Sequence, residues 1–130
     1  MIGPGDEWPE RVVVLVSGSR DWEDDAAIAA VLRELERLPK HAVVVHGAAP
    51  GIDTVADAVA RLLGLEVRPY PAKWAQFDRA AGAIRNIEMF DKEKPTLFMG
   101  FHPDINRSKG TKHAYKVARK RGIEAKLFAS

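Results

Sequence analysis

Apolar residues recur along this chain in two alternating patterns, short continuous runs and one-face helical spacing. Val12-Val13-Val14-Leu15-Val16 is an unbroken, mostly β-branched run, the pattern of a strand buried on both faces. Asp24-Asp25 then open a helix in which Ile28, Val31, Leu32 and Leu35 share one face, and Pro39 ends it. Ala42 to Val45 reads as a second buried strand. Ile52, Val55, Ala56, Val59 and Leu63 mark the next helix, with Gly64 as its closing glycine. Leu65 to Tyr70 predicts a short third strand, followed by a connection from Ala72 to Phe77. A third helix is expected from about Arg79 to Phe90 with Ile84, Ile87 and Phe90 inward, and Thr96 to Phe101 is a fourth buried strand. A polar loop from His102 to Lys109 leads into a helix from about Thr111 to Arg121. Gly122 ends it, and Ile123 to Phe128 alternates like an edge strand.

Strands alternating with helices require right-handed crossovers and a mostly parallel sheet. The expected fold is therefore α/β: a single Rossmann-like, doubly wound domain with a five-stranded sheet and helices on both faces. Residues 1–10, with Gly3, Pro4, Gly5 and Pro9, read as a flexible leader, and residues 11–130 as the domain. The pattern does not specify the strand order.

Composition narrows the function classes. With 130 residues, 46% of them apolar, the chain can bury one core and is not a disordered segment. No apolar run, Val12 to Val16 included, approaches the roughly 18 residues of a membrane span. Residues 1–10 lack a basic start and an apolar stretch, so no signal peptide is expected and a cytoplasmic location is the default. The absence of cysteine excludes disulfides, thiolate metal sites and a cysteine nucleophile. The net charge of +2 divides into −5 over residues 1–106 and +7 over residues 107–130. Such a basic end suits a nucleic acid, an anionic small ligand or a solvated helix face.

Ligands of such sheets bind outside the carboxyl ends of the strands, and the chemically unusual residues gather there. Ser17, Gly18, Ser19, Arg20 and Trp22 follow the first strand. His46, Gly47 and Asp53 follow the second, with Asp53 expected at a helix cap, where an acid either caps the helix or bonds a ribose hydroxyl. Trp74 follows the third. Ser108-Lys109-Gly110-Thr111 precede the basic helix and form the strongest anion site, where backbone amides, hydroxyls, a lysine and the helix dipole converge. Its spacing is not that of a Walker A loop. Arg85 and Asn86 are polar residues amid apolar ones. No paired metal-ligand spacing connects His46, His102 and His113, so neither a metal nor a cofactor is expected.

The segments VLVSGSRDW, VVVHGAAPGIDTVADAVA, YPAKWAQFDRAAGAIRNIEMF and SKGTKHA resemble the YpsA/YspA-related branch of the SLOG superfamily over about residues 11–125. That Rossmann-like group also contains the lysine-decarboxylase-like LOG proteins and the DNA-processing DprA proteins. The resemblance implies a site for nucleotides or nucleotide-derived ligands, and adds weight to Gly18, Arg20, Gly47, Asp53, Trp74, Arg85, Asn86, Gly110 and Thr111. Two departures stand out. Ser108-Lys109 replace the glycine-rich run that relatives carry before the Gly-Thr pair, and Ala114 stands where LOG-type phosphoribohydrolases carry a catalytic glutamate.

Three functions follow as expectations. The first is binding or sensing of a nucleotide-derived small molecule, with Trp22 or Trp74 as a base platform. The second is hydrolysis of an N-glycosidic or phosphate bond, with Asp53, Glu88 and Arg85 as the candidate catalytic residues. The third is DprA-like nucleic-acid binding through the basic end, ranked last because the basic residues are not lined along one stripe. Self-association is left open. Asp53 at a helix start and Glu88 near Arg85 are both expected to stay ionised, which disfavours a proton donor.

Overall fold

The computed structural model describes residues 8–130. Most of the expected leader, residues 1–7, lies outside the described residues. The strands are β1 (Val13–Gly18), β2 (Val43–His46), β3 (Glu66–Pro69), β4 (Leu97–Phe101) and β5 (Glu124–Phe128). The helices are α1 (Asp25–Leu35), α2 (Ile52–Leu62), the short α3 (Trp74–Phe77), α4 (Ala81–Glu93) and α5 (Gly110–Lys120). All four strand pairings are parallel, and the strand order is β3-β2-β1-β4-β5.

This order explains the continuous apolar run of β1, the central strand. Val12, Val14 and Val16 point into the layer formed by α1 and α2, while Val13 and Leu15 point into the layer formed by α4 and α5. Successive side chains of a strand alternate in direction, so a strand covered on both faces needs apolar residues at every position. The outer strands are the mixed ones. Pro69 closes β3 at the sheet edge, where a missing N–H is tolerated.

Two helices are rotated relative to the sequence expectation. In α1 the buried face is Ala27, Ala30, Val31, Glu34 and Leu35, and Ile28 is exposed. Small alanines let this helix approach the sheet closely, and Asp24 caps it by accepting from the Ala27 amide at 3.0 Å. In α4 Phe90 is buried as expected, but Ile84 and Ile87 face outward. Arg85 and Asn86 take the inward positions beside Ala81, Met89 and Phe90. Periodicity of apolar residues misses this rotation because two polar side chains occupy the buried face. No described helix is long and apolar enough to cross a membrane.

Candidate functional site

The first two connections leave β1 toward β2 and β3, whereas the later ones build β4 and β5 on its other side. The carboxyl ends of β1 and β4 therefore frame a switch point, where such sheets open a crevice. A cleft of about 480 Å³ lies there, within the range of small-ligand pockets. A second cavity of about 490 Å³ lies at the other end of the strands, lined by Trp8, Leu38, Leu97, Met99 and Lys126 among others. Its surface is mostly apolar, with Glu34, Arg37 and Glu124 as further charged lining residues.

One wall of the first cleft is the start of α5. Ser108 Oγ accepts from the Thr111 amide at 3.0 Å, and the Ser17 hydroxyl donates to Thr111 Oγ1 at 3.2 Å. A side chain at Gly110 would meet nothing within 4 Å, so the backbone there faces open cleft. The positive end of α5, with Arg107 and Lys109 alongside, makes this wall electropositive.

The floor is the loop between β2 and α2. Asp53 is buried; its Oδ2 accepts from the Gly47 amide at 3.1 Å and from the Ala49 amide at 3.2 Å. Its Oδ1 is buried and has no hydrogen-bond partner among the described residues. Burial raises the carboxyl pKa above its ordinary value, outweighing the two amide hydrogen bonds and the charge of Arg85. Two sequence expectations for this residue, the helix cap and the lowered pKa, need correction. Gly51, not Asp53, is the cap of α2, and the depressed pKa expected from the helix dipole is overridden by burial.

Arg85 forms the opposite wall. Its Nε donates to Asn86 Oδ1 at 2.9 Å, and its Nη1 donates to the carbonyls of Gly47 and, at 3.4 Å, Tyr70. The guanidinium lies against Gly47, where an added Cβ would sit 2.5 Å from Nη1. Burial lowers its pKa from the usual arginine value, with Asp53 opposing. Asn86 Nδ2 in turn donates to the Gly110 carbonyl at 3.3 Å and lies 3.2 Å from His113 Nδ1. This chain of contacts fixes the β2 loop, α4 and the α5 terminus relative to one another. At the mouth, Trp74 is half exposed with the Arg20 guanidinium 5.5 Å from its ring centre.

The cleft thus collects Ser17, Gly18, Ser19, Arg20, Asp53, Trp74, Arg85, Asn86, Ser108, Gly110 and Thr111. Four candidates lie elsewhere. Trp22 packs against the α1/α2 core layer. Gly47 serves as the seat of Arg85. His46 is buried outside the lining: its Nδ1 accepts from the Ala48 amide at 2.9 Å, so Nε2–H donates to Asp57 Oδ2 at 2.7 Å. Asp57 is itself held below the usual carboxylate range, chiefly by the Arg61 hydrogen bond. Glu88 points away and pairs with Lys92 at 3.4 Å rather than with Arg85. Sequence reasoning did not single out Arg79 and Arg107, which also line the cleft. Their signal was position: Arg107 immediately precedes Ser108, and Arg79 stands at the expected start of the third helix. Arg20, Arg79, Arg85, Arg107 and Lys109 face two carboxylates, Asp21 and Asp53.

The buried acid has a consequence for stability. Folding raises the Asp53 pKa, so its favourable contribution is complete below the ordinary value of 3.8 and is lost as pH rises through the folded-state pKa. Asp53→Asn keeps an acceptor for the two amides and removes the buried charge. Relative to the natural protein it should therefore gain stability as pH rises from 4 to 7. Denaturant melts across pH check this; a variant less stable at pH 7 than at pH 4, relative to the parent, contradicts it.

Two comparisons bear on this arrangement. The sequence pattern of the YspA, cpYpsA-related SLOG family (YAcAr) matches residues 12–77, which include the β1 turn, the Gly47–Asp53 loop and Trp74. The Gene 61 protein of Mycobacterium phage D29 is 40% identical over 116 residues, 85% of this chain and 90% of the phage protein.

Proposed function

Because this chain belongs to the YspA, cpYpsA-related SLOG family, whose members point to a nucleotide-related role, we propose that the cleft binds a nucleotide or nucleotide-derived ligand. The observation that carries this reading is the cradle at the start of α5. Ser17 and Ser108 hold Thr111 so that its hydroxyl and the neighbouring amides are available to a phosphate. Arginines and Lys109 around the cleft supply the charge for an anionic ligand. Trp74 supplies an aromatic face for a base.

A nucleic-acid role is less well supported. Arg121 pairs with Asp91 at 2.8 Å, Lys126 with Glu124 at 3.6 Å, and Arg119 bonds Tyr115, so the basic end is divided among local contacts instead of forming one stripe.

The test is calorimetric titration with AMP. Thr111→Val should weaken binding by about 1–3 kcal/mol, the range for a lost hydrogen bond to a charged group, while Thr111→Ser keeps the hydroxyl and most of the affinity. Equal affinity for the valine variant places the phosphate elsewhere.

The raised carboxyl of Asp53 favours hydrolysis as a second reading, since a proton donor at neutral pH needs such a shift. Ala114 is fully buried in the apolar layer and supplies no chemistry. Incubation with AMP, followed by chromatography for free base, is expected to show little turnover. Release near 1 per second, within the ordinary enzyme range, and lost in Asp53→Asn, would establish the second reading instead.

A further inference from the structure

We propose that Asp53 reads a sugar hydroxyl of the bound nucleotide through Oδ1, making it the residue that separates ribose from deoxyribose ligands. The inference rests on the nucleotide reading above and adds the group that confers sugar specificity.

The carboxylate is used asymmetrically. Two backbone amides fix Oδ2 and so set the plane of the group, while Oδ1 has no donor among the described residues. Buried polar atoms are almost always satisfied, and an orphan lining a cleft is explained most simply by a donor that arrives with the ligand. Arg85 lies close enough to act on Asp53 by charge, yet its Nε and Nη1 are spent on Asn86 and on the Gly47 and Tyr70 carbonyls.

Position favours a sugar as the source of that donor. Thr111 bonds Ser17, the residue before Gly18, and Gly18 packs against Ile52, the residue before Asp53. The proposed phosphate cradle and the carboxylate therefore flank the same end of β1, with Trp74 farther out at the mouth. A 5′-phosphate in the cradle puts the sugar next to it and the base beyond.

Oδ1 is shielded from bulk water, so a hydroxyl reaches it only with a small movement of the side chains above. The same shielding makes a missing donor expensive. A site built to bond a hydroxyl rejects the analogue lacking it far more strongly than an apolar pocket discriminates by size.

The experiment compares AMP, 2′-deoxy-AMP and 3′-deoxy-AMP by calorimetry on the natural protein and on Asp53→Asn, with ribose 5-phosphate as a base-free probe. At least one deoxy nucleotide should bind tenfold or more weakly to the natural protein, and the gap should shrink below about threefold in the variant. Equal affinity for all three nucleotides overturns the proposal while leaving the nucleotide reading intact. A ribose preference unchanged in Asp53→Asn overturns it as well, by assigning the hydroxyl to another group. Failure of all four compounds to bind the natural protein overturns the nucleotide reading and this inference with it. The comparison within the natural protein stands even if the variant does not fold.

Discussion

Arg85→Ala is expected to abolish nucleotide binding and to cost about 3–5 kcal/mol of stability, the usual result of removing one member of a buried charged network. The side chain carries three distinct loads. It satisfies the carbonyls of Gly47 and Tyr70, it bonds Asn86 and so ties α4 to the α5 terminus, and it offsets the charge of Asp53. Truncation leaves buried acceptors unpaired and Asp53 deprived of a cation. Arg85→Lys should rescue little, because one ammonium cannot serve the positions that a planar guanidinium spans. Urea unfolding reads the stability and calorimetry the binding. A loss below about 1 kcal/mol, on the scale of a single net hydrogen bond, would mean that the contacts of Arg85 do not hold the loop.

Gly51→Ala should be comparably damaging without touching a ligand. Gly51 has φ +78° and ψ −126°, a conformation reserved in practice for glycine, and its added Cβ would lie 2.2 Å from the Ser19 carbonyl oxygen. Strain and overpacking each cost about 1–3 kcal/mol. The expected loss is therefore about 3 kcal/mol or more. Gly110→Ala is the internal control, since its Cβ meets nothing within 4 Å; it should leave stability nearly unchanged or slightly improved. Similar melting curves for the two variants would contradict the assigned loop geometry.

How much of this was legible in the sequence depended on what kind of force placed each residue. The alternation of runs and helical spacing revealed the five strands and the long helices, because burial on two faces leaves a direct imprint on β1, β2 and β4. The strand order was not legible, since the same pattern fits several ways of laying out the crossovers. The turns after β1 and before α5 declared themselves through glycines and hydroxyls. Asp53 was located by motif but misread in mechanism. A helix start suggests a capped, ionised carboxylate, whereas the chain folds Asp53 back over its own loop and buries it. Glu88 illustrates the opposite error. Proximity in sequence to Arg85 suggested a pair, but the rotation of α4 that turns Arg85 inward leaves Glu88 facing Lys92. Arg79 and Arg107 escaped notice because an arginine in a single 3-10 turn has no periodicity to betray it.

On the proposed reading, the cleft at the carboxyl ends of β1 and β4 receives a phosphate-bearing nucleotide. The most direct measurement is a titration of the ¹⁵N-labelled protein with AMP, followed through its amide and indole resonances. Saturable shifts are expected at Gly18, Arg20, Gly110, Thr111 and the Trp74 indole, with the Lys126 and Leu38 amides at the far end of the sheet unmoved. Saturable shifts confined to that far cavity, or no shifts at millimolar AMP, would contradict that reading.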